Sequence, residues 1–541
     1  MSKDQRAHTS TELDDDARLL AEMGYKQELH RGMSAFSNFA VSFSIISILA
    51  GCITSYGIAL NSGGPSTIVL GWLVVGVFVA CVALAMAEVC SRYPTAGGLY
   101  FWAGRLARRN KKVWAWYVGW FNFMGEIGVT AAIDFGCATT WSAFMNLVWG
   151  VQVTPGRVFG LFVAIIVSHA LLNTFGVNLV SLLSKVSAWW HVVGVLVIVG
   201  FLWILPEKHQ SVSWTLTGWH NDTGWSFAPY VFFMGLLMAQ YTYTGYDASA
   251  HVAEETKDAS RSAPNGIVMS VVVSIVGGFI LLYAITASIQ DSSAAGLSKL
   301  AATDTGLPPA QIFLDALGSP GVAKFLLFIV CVAQFFCGMA SVTANSRMTF
   351  AFSRDNALPG SRFWAKVNPR TGTPTNSIWF CVALSILLAS PALFNATAYL
   401  AVTSIAVIGL YIAYVAPVFL RRRAENFQPG PWNLGRWSPV IGWIAVVWVC
   451  VICVMFVLPP VSPVTVDTFN YAPVAVIAVF LFATISWFLG GRTHFMKGAS
   501  PEDHNAADPE QVLEEEVHEA EQPTGGTTRR GSGDEPDKVL D

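Results

Sequence analysis

Two stretches rich in Gly, Ser, Thr and Tyr interrupt long apolar runs of this chain. The first is residues 48–57 (ILAGCITSYG) and the second is residues 241–247 (YTYTGYD). A helix that breaks inside a bilayer leaves peptide N–H and C=O groups unpaired, which is costly unless the break faces a cavity that a solute can occupy. Because matched breaks in two halves of a chain indicate the binding site of a secondary transporter, the two stretches predict a membrane carrier.

In the first stretch, the helix is expected to unwind over residues 50–55, which are Ala50, Gly51, Cys52, Ile53, Thr54 and Ser55. Gly51 tolerates backbone conformations that other residues avoid. The N–H groups of the half-helix that follows would then suit an anionic group such as a carboxylate. Ordinary packing of small residues between membrane helices explains this stretch equally well when it is taken alone.

In the second stretch, Gly245 would permit the break, and carbonyl groups freed near Tyr241 and Thr242 could accept hydrogen bonds from a substrate ammonium. Tyr243 could close over the apolar part of the substrate. An ionisable residue such as Asp247 inside a membrane segment is a functional candidate by default. Asp is also a favoured helix N-cap, and this structural interpretation of Asp247 is the preferred one.

Three further titratable residues lie inside apolar runs. Glu126 lies about fourteen residues into its run, roughly 21 Å along a helix and so near mid-membrane. There it could pair with a cationic substrate, exchange a proton or remain a protonated acid. Asp134 falls near the same helical face, and hydrogen bonds between helices explain both acids equally well. His191 could relay protons, although a packed, hydrogen-bonding histidine is the favoured interpretation.

The composition indicates a non-aqueous environment. The 541 residues are 53% hydrophobic and only 12% charged, whereas soluble proteins average about 25% charged residues. Apolar runs of about 17–25 residues, long enough to cross a bilayer as a helix, recur along the chain. They predict an all-α integral membrane protein with about twelve transmembrane helices, centred on residues 36–60, 66–90, 113–143, 157–175, 184–204, 227–250, 265–288, 322–350, 376–392, 396–419, 438–458 and 472–490.

Lys and Arg accumulate in the short cytoplasmic loops of membrane proteins. Here they cluster after the second, sixth, eighth and tenth predicted spans, whereas the loops at 205–226, 289–319 and 459–471 contain few. All the basic loops share one side if the chain crosses the membrane twelve times. Both termini are therefore predicted to be cytoplasmic, in a protein that we expect in the plasma membrane.

The sequence divides into three regions. Residues 1–33 form a cytoplasmic segment, residues 34–492 the transmembrane domain, and residues 493–541 an acidic cytoplasmic tail that its composition predicts to be disordered. Both ends are expected to be solvated. Within the transmembrane domain, the matched breaks suggest repeats at about 36–204 and 227–419, followed by two extra helices at about 438–490.

The remaining patterns indicate no cofactor chemistry. The nine cysteines are scattered through apolar runs without metal-ligand spacing, so neither a metal nor a cofactor is predicted. The expected partners are a small-molecule substrate and the lipid bilayer. A nucleic acid is not expected, because no basic, aromatic surface is evident, and the oligomeric state is left open.

Three motifs stand at or after the ends of the second, sixth and eighth predicted spans: residues 87–100 (AEVCSRYPTAGGLY), 245–256 (GYDASAHVAEET) and 353–359 (SRDNALP). Over about residues 30–490 the chain resembles the amino acid–polyamine–organocation superfamily, in particular its amino acid/choline branch with the fungal GABA and choline permeases. The resemblance implies the leucine-transporter fold, a 5+5 inverted repeat plus two helices, and uptake or exchange of amino acids or related amines by alternating access.

The resemblance also implies roles at the two breaks. The substrate carboxylate would bind at the first break, on Ala50, Gly51, Cys52 and Ile53. Its amine and side chain would bind at the second break, on Tyr241, Thr242, Tyr243 and Gly245.

The sequence departs from this family pattern in two places. Many relatives have a Gly-x-Gly break in the first span, whereas here Gly51 is followed only by Gly57. Some relatives carry a lysine in the fifth span in place of a sodium ion, and His191 falls near that position. The departures put sodium coupling in doubt and make His191 the candidate for proton linkage.

The leading hypothesis is a secondary active transporter of a small amino acid or related amine, with GABA and choline as options and with proton coupling or exchange. Glu126, His191 and Asp247 are the candidates for coupling. The alternative is a nutrient receptor of the same fold that binds without transport. An intramembrane hydrolase ranks far below, because no nucleophile elbow or metal motif surrounds the histidines, and the chain is not expected to be an enzyme.

Overall fold

The computed structural model describes residues 15–394, 398–466 and 468–496. Of the described residues, 75% are helical, and the β-type pairings found among them are isolated bridges. The prediction of an all-α fold is confirmed. Most of the predicted acidic tail, residues 497–541, lies outside the described residues.

Twelve helical stretches occupy the predicted spans, and we number them S1–S12 in chain order. S1 and S6 each consist of three shorter helices. The bounds are S1, Ala35–Ile46, Ile48–Thr54 and Tyr56–Asn61; S2, Pro65–Arg92; S3, Lys111–Trp149; S4, Pro155–Thr174; S5, Val177–Ile204; S6, Ala228–Gly235, Leu237–Thr242 and Ala248–His251; S7, Ala259–Ala287; S8, Pro320–Arg354; S9, Thr375–Ala389; S10, Ala398–Arg423; S11, Ser438–Met455; and S12, Ala472–Ser486.

Ten helices among the described residues are long and apolar enough to cross a membrane. They lie in S1, S2, S4, S5 and S7 to S12. The other two stretches are S3, a 39-residue helix that carries Glu126 and Asp134, and S6, which is divided into pieces. The count of twelve spans therefore stays a prediction.

S1, S8 and S10 form the centre of the bundle, since 89%, 72% and 83% of their most apolar stretches are buried, against 17% for S12. Segments five positions apart in the chain pack together: S1 on S6, S2 on S7 and S3 on S8. Two five-segment repeats related by a pseudo-twofold axis would pair in this way. The repeat itself stays a prediction, but the pairing brings the two interrupted segments face to face.

Residues 15–33 pack against the ends of the segments. The backbone of Met33 pairs with that of Thr256, just after S6. The expectation of a solvated N-terminal segment is therefore wrong for these residues. The sequence did not reveal their packing, because their apolar side chains are too widely spaced to form a recognisable apolar run. The buried apolar side chains of this region are Leu20, Met23, Tyr25, Leu29 and Met33.

Candidate functional site

The first break lies at Ser47, where the backbone takes a left-handed conformation (φ 33°, ψ 80°) between the first two helices of S1. The expectation that the helix unwinds over residues 50–55 is wrong at Gly51, whereas Ser55, at the end of that range, does interrupt S1 between its second and third helices. The Gly51 N–H donates to the Ser47 carbonyl at 2.9 Å, and the Ser55 N–H donates to the Gly51 carbonyl at 3.0 Å. Gly51 therefore lies within a regular helix, and the break at Ser47 lies one turn before it.

His191 of S5 holds the first break. Its Nδ1 lies 2.7 Å from the Ser187 carbonyl, which can only accept, so Nδ1 carries a hydrogen. Its Nε2 lies 2.6 Å from the Ser47 hydroxyl, and the ring is fully buried. His191 therefore makes the hydrogen-bonded contact that the sequence favoured, and it does so at the residue where S1 is interrupted.

Gly51 lets S1 and S6 approach each other closely. A Cβ at this position would lie 2.6 Å from Oγ1 and 2.7 Å from Cγ2 of Thr242. The Thr242 hydroxyl donates to the Met238 carbonyl at 2.8 Å, so this side chain is held in place. The glycine thus serves the contact between the two segments and not a bend in its own helix.

The second break lies where the sequence predicts it. One helix of S6 ends at Thr242 and the next begins at Ala248. Between them Gly245 has a φ of +91°, a conformation that other residues rarely adopt, and a Cβ on it would lie 2.2 Å from Cγ2 of Ile45. Both the backbone conformation and the lack of space require glycine at this position. The contact between Gly245 and Ile45 places the second break against the last helical turn before the first break.

A small cavity of about 10 Å³, which we call the central cavity, lies between the two breaks. It has room for about one water molecule. Its wall combines apolar side chains with hydroxyl, amide and thiol groups. An amino acid does not fit in this volume. The lining residues are Ile45, Ile46, Ala50, Gly51, Thr54, Ile133, Tyr241, Thr242, Thr244, Gln334 and Cys337.

The wall includes half of the eight predicted binding residues, namely Ala50, Gly51, Tyr241 and Thr242. The other four lie behind it. Cys52 and Ile53 are packed in the core. Gly245 forms the second break, and the Tyr243 ring stacks on Trp72 at a centroid distance of 4.1 Å. Contact with a substrate stays a prediction for all eight.

S8 supplies wall residues that the sequence did not reveal. Gln334 Nε2 donates to the Ala50 carbonyl at 3.2 Å, and Cys337 Sγ donates to the Ile45 carbonyl at 3.2 Å. Polar groups of S8 thus bind carbonyls on either side of the first break. Gln334 could have been found, since a polar side chain inside an apolar run is expensive without a partner, whereas Cys337 resembles any small buried residue.

Glu126, Asp247 and His251 form a buried cluster next to the second break. One ligand atom from each lies within 4.8 Å of the others. Tyr414 of S10 donates to Asp247 Oδ1 at 2.6 Å, and the Gly245 N–H donates to the Tyr414 hydroxyl at 3.3 Å. One tyrosine therefore connects a peptide group of the break to the acid cluster.

The Asp247 carboxyl does not cap the helix that follows it. Asp247 occupies the N-cap position of Ala248–His251, but its side chain makes no capping hydrogen bond, so the preferred structural interpretation is wrong. Its Oδ2 lies 3.3 Å from His251 Nε2, while His251 Nδ1 lies 2.9 Å from the Ala96 carbonyl. Nδ1 therefore carries a hydrogen, and Nε2 is the ring atom that faces Asp247 and the Asn122 amide.

The cluster is suited to a proton or a small cation. Two buried carboxyl groups this close repel each other when both are ionised. A proton shared between Glu126 and Asp247, or one held by His251, relieves that repulsion. The same three side chains are also the one group among the described residues with the spacing of metal ligands.

An open cavity of about 300 Å³, which we call the vestibule, approaches the central cavity from the side opposite the N-terminal segment. Thr54 lines both cavities. Tyr399 of S10 lines the vestibule and lies beside Thr54 and Tyr241. Thr54, Tyr241 and Tyr399 thus lie where the two cavities come closest.

On the other side, four residues that we call the inner latch join the N-terminal segment to the ends of S6 and S8. Arg354 binds both oxygens of Glu254, at 2.9 and 3.0 Å. Its guanidinium lies 4.0 Å from the centroid of the Tyr25 ring, and the Tyr25 hydroxyl donates to Asp355 Oδ2 at 2.9 Å. These contacts hold the N-terminal segment against the ends of S6 and S8 on the predicted cytoplasmic side.

The inner latch is expected to respond to pH. Burial raises the pKa of Asp355 to about 6, against the opposing effects of Arg354 and two tyrosine hydroxyls. If opening hydrates Asp355 and returns its pKa to the usual value near 4, the closed latch binds the proton more tightly. Acid should then favour the closed latch by at most about 3 kcal/mol, and this contribution disappears as the pH rises from 4 through 6.

Hydrogen exchange of the backbone amides of residues 20–33 measures this effect. Protection, corrected for intrinsic exchange rates, should be greater at pH 5 than at pH 7.5 in the wild type. The difference should vanish in Asp355→Asn, which keeps an acceptor for Tyr25 but does not titrate. An unchanged pH dependence in that variant would assign the effect to another group.

Interrupted helices that face each other across a small cavity within an apolar bundle are features of a membrane transporter. The sequence matches the amino acid permease family over residues 33–481, and the chain belongs to that family. It is an integral membrane protein and a transporter, not an enzyme.

Named relatives agree with this assignment. The chain is 42% identical to the amino-acid permease BAT1 of Arabidopsis thaliana, over 88% of this chain and 95% of that protein. It is 30% identical to the GABA-specific permease of Saccharomyces cerevisiae, over 87% of this chain and 83% of that protein. It is 29% identical to the choline transporter of the same yeast, over 86% and 83% respectively. The superfamily that the three motifs indicated is thereby confirmed.

Proposed function

We propose that this permease is a secondary active transporter that moves a small amino acid or related amine across the membrane by alternating access. The observation that carries the proposal is that S1 and S6 meet at Gly51 and Thr242, with a small cavity between their breaks. Peptide groups freed at such breaks bind the charged ends of substrates. The vestibule on one side and the inner latch on the other supply the two gates that alternating access needs.

The charged ends of the substrate are assigned to the two breaks. The carboxylate is assigned to the first break at Ser47, beside the part of the cavity wall formed by Ala50 and Gly51. The ammonium binds at the S6 break, against Tyr241 and Thr242. The remaining predicted residues support this wall from behind, namely Cys52, Ile53, Tyr243 and Gly245.

The coupling proton is assigned to Glu126, Asp247 and His251. Because Tyr414 bonds both to Asp247 and to the Gly245 N–H, a change of charge in the cluster alters a hydrogen bond at the substrate-binding break. His191 is the second candidate, since its ring holds Ser47. Replacing a coupling residue should abolish accumulation driven by a pH gradient, whereas replacing a residue that only holds the break should lower uptake equally at every pH.

The relatives named for GABA and for choline supply the first two candidate substrates. A methylene group in a pocket changes binding by only about 1–3 kcal/mol, so the wall of the central cavity does not choose between them. We place the protein in the plasma membrane with both termini in the cytoplasm, in keeping with the basic loops.

Transport is tested with the full-length protein reconstituted into liposomes. Labelled GABA, choline, alanine and basic amino acids are offered with and without an inward proton gradient, and with or without unlabelled amino acid inside. Accumulation above equilibrium in response to the gradient supports proton coupling, and uptake only against internal amino acid supports exchange. Binding without flux would establish the receptor alternative, and neither binding nor flux of any solute in the panel would contradict the proposal.

A further inference from the structure

A second pair of buried titratable residues lies outside the proposed coupling cluster. Asp134 of S3 and His169 of S4 approach to 2.8 Å between Oδ1 and Nδ1, and neither side chain is exposed. The sequence places Asp134 near the helical face of Glu126, but the structure gives the two acids different partners. Within the described part of the chain, His169 is the only ionic partner of Asp134.

This pair lies directly behind the wall of the central cavity. Ile133, which precedes Asp134, and Cys337 of S8 both line the cavity. A Cβ on Gly338, the residue after Cys337, would lie 2.1 Å from Asp134 Oδ1 and 2.6 Å from the His169 ring. The absence of a side chain on Gly338 therefore lets the pair sit against the S8 backbone, one layer of side chains from the cavity.

The pair is incompletely satisfied. Despite the 2.8 Å approach, both oxygens of Asp134 and both ring nitrogens of His169 lack a partner in hydrogen-bond geometry. The edge of Phe335 packs against the imidazole at a centroid distance of 4.4 Å. With a neutral imidazole, the pair carries a full negative charge in the protein interior, which is costly unless a positive charge compensates it.

The other titratable groups that act on Asp134 supply no positive charge. They are the Cys137 thiol of S3, the Cys337 thiol of S8 and the Tyr241 phenol of S6. A proton on either member of the pair, or a cationic group inside the cavity, would compensate this charge. When a proton compensates the charge of the pair, a cationic group in the cavity is no longer needed, and the reverse also holds.

We infer that Asp134 and His169 favour substrates that carry a second, distal ammonium group, and that protonation of His169 weakens this preference. The inference rests on the proposed transport of amino acids and amines. Asp134 acts electrostatically through the wall, because its carboxylate does not itself line the cavity. The class of substrate favoured at neutral pH is thus a diamino acid or another amine with net positive charge.

Ornithine and norleucine make a matched pair for the test, because they differ only in a terminal ammonium in place of a methyl group. Each is used to inhibit uptake of the labelled solute that the wild type carries in the liposome panel. At pH 7.5 ornithine should have the lower inhibition constant of the two. At pH 5.5 this preference for ornithine over norleucine should be smaller, although ornithine carries the same charge at both pH values. In Asp134→Asn the preference should fall at least tenfold, and in His169→Gln the dependence on pH should vanish.

The outcomes separate this inference from the proposed function. If the wild type carries no solute of the panel, the proposed function fails. If the wild type carries a solute of the panel, two results overturn the inference. The ratio of the ornithine and norleucine inhibition constants is the same in Asp134→Asn as in the wild type, or this ratio does not depend on pH in the wild type. Asp304→Asn, at an exposed site, serves as the control, and should Asp134→Asn fail to fold, the pH dependence in the wild type and in His169→Gln decides alone.

Discussion

Replacing Asp247 with Asn is expected to reduce accumulation driven by a proton gradient at least 100-fold, whereas exchange of internal for external substrate should continue. Asn keeps an oxygen acceptor for the Tyr414 hydroxyl, which donates to Asp247 Oδ1 at 2.6 Å, but it cannot hold a proton. Glu126→Gln should behave in the same way, because the two acids belong to one cluster. Gradient-driven uptake and counterflow in liposomes measure the two activities separately.

Asp315→Asn is the matched control, since that carboxylate is exposed and should leave both activities unchanged. His191→Gln provides the comparison within the membrane. If the His191 variant loses the response to the gradient while Asp247→Asn keeps it, the coupling proton belongs at the first break and not at the acid cluster.

Replacing Gly51 with Ala is expected to cost about 1–3 kcal/mol of stability, as overpacking of a core does, and to reduce uptake at least tenfold. The added methyl group would lie 2.6 Å from the Thr242 hydroxyl oxygen, so the two interrupted segments must move apart. Thermal unfolding in detergent and initial uptake rates measure the two effects. Gly160→Ala is the control, because that helical glycine has nothing within 4 Å of the added group.

The double variant Gly51→Ala/Thr242→Ala tests the mechanism of this loss. Removing Oγ1 and Cγ2 of Thr242 takes away the two closest atoms, so the pair should recover much of the stability that Gly51→Ala loses. Two results would mean that close approach of S1 and S6 is not what requires this glycine. In the first, the stability losses of the two single variants simply add in the double variant. In the second, Gly51→Ala is as stable and as active as the Gly160→Ala control.

The fold was predictable from local patterns. Apolar runs of spanning length located all twelve helical stretches, and the Gly245 break followed from a glycine within a polar, aromatic string. The position of the first break did not follow, because Ser47 is held by His191, which is 144 residues away in the chain. A permissive glycine attracted the prediction to Gly51, where the absence of a side chain instead serves a contact with another segment.

The chemistry of the acids was only partly predictable. Hydropathy alone singled out Glu126 and Asp247 as expensive residues in a membrane. Their pairing with His251, and the link through Tyr414 to the break, depend on how S3, S6 and S10 pack together. The separate pairing of Asp134 with His169 depends in the same way on the meeting of S3 and S4, which no local spacing encodes.

The position of a bound substrate tests the central claim most directly. A structure of the protein determined with the solute that it transports should show that solute between Gly51 and Thr242, with its charged ends against the Ser47 and Gly245 breaks. The central cavity should be enlarged beyond about 10 Å³. A substrate bound elsewhere, with both breaks unoccupied and S1 and S6 still in contact, would contradict the account.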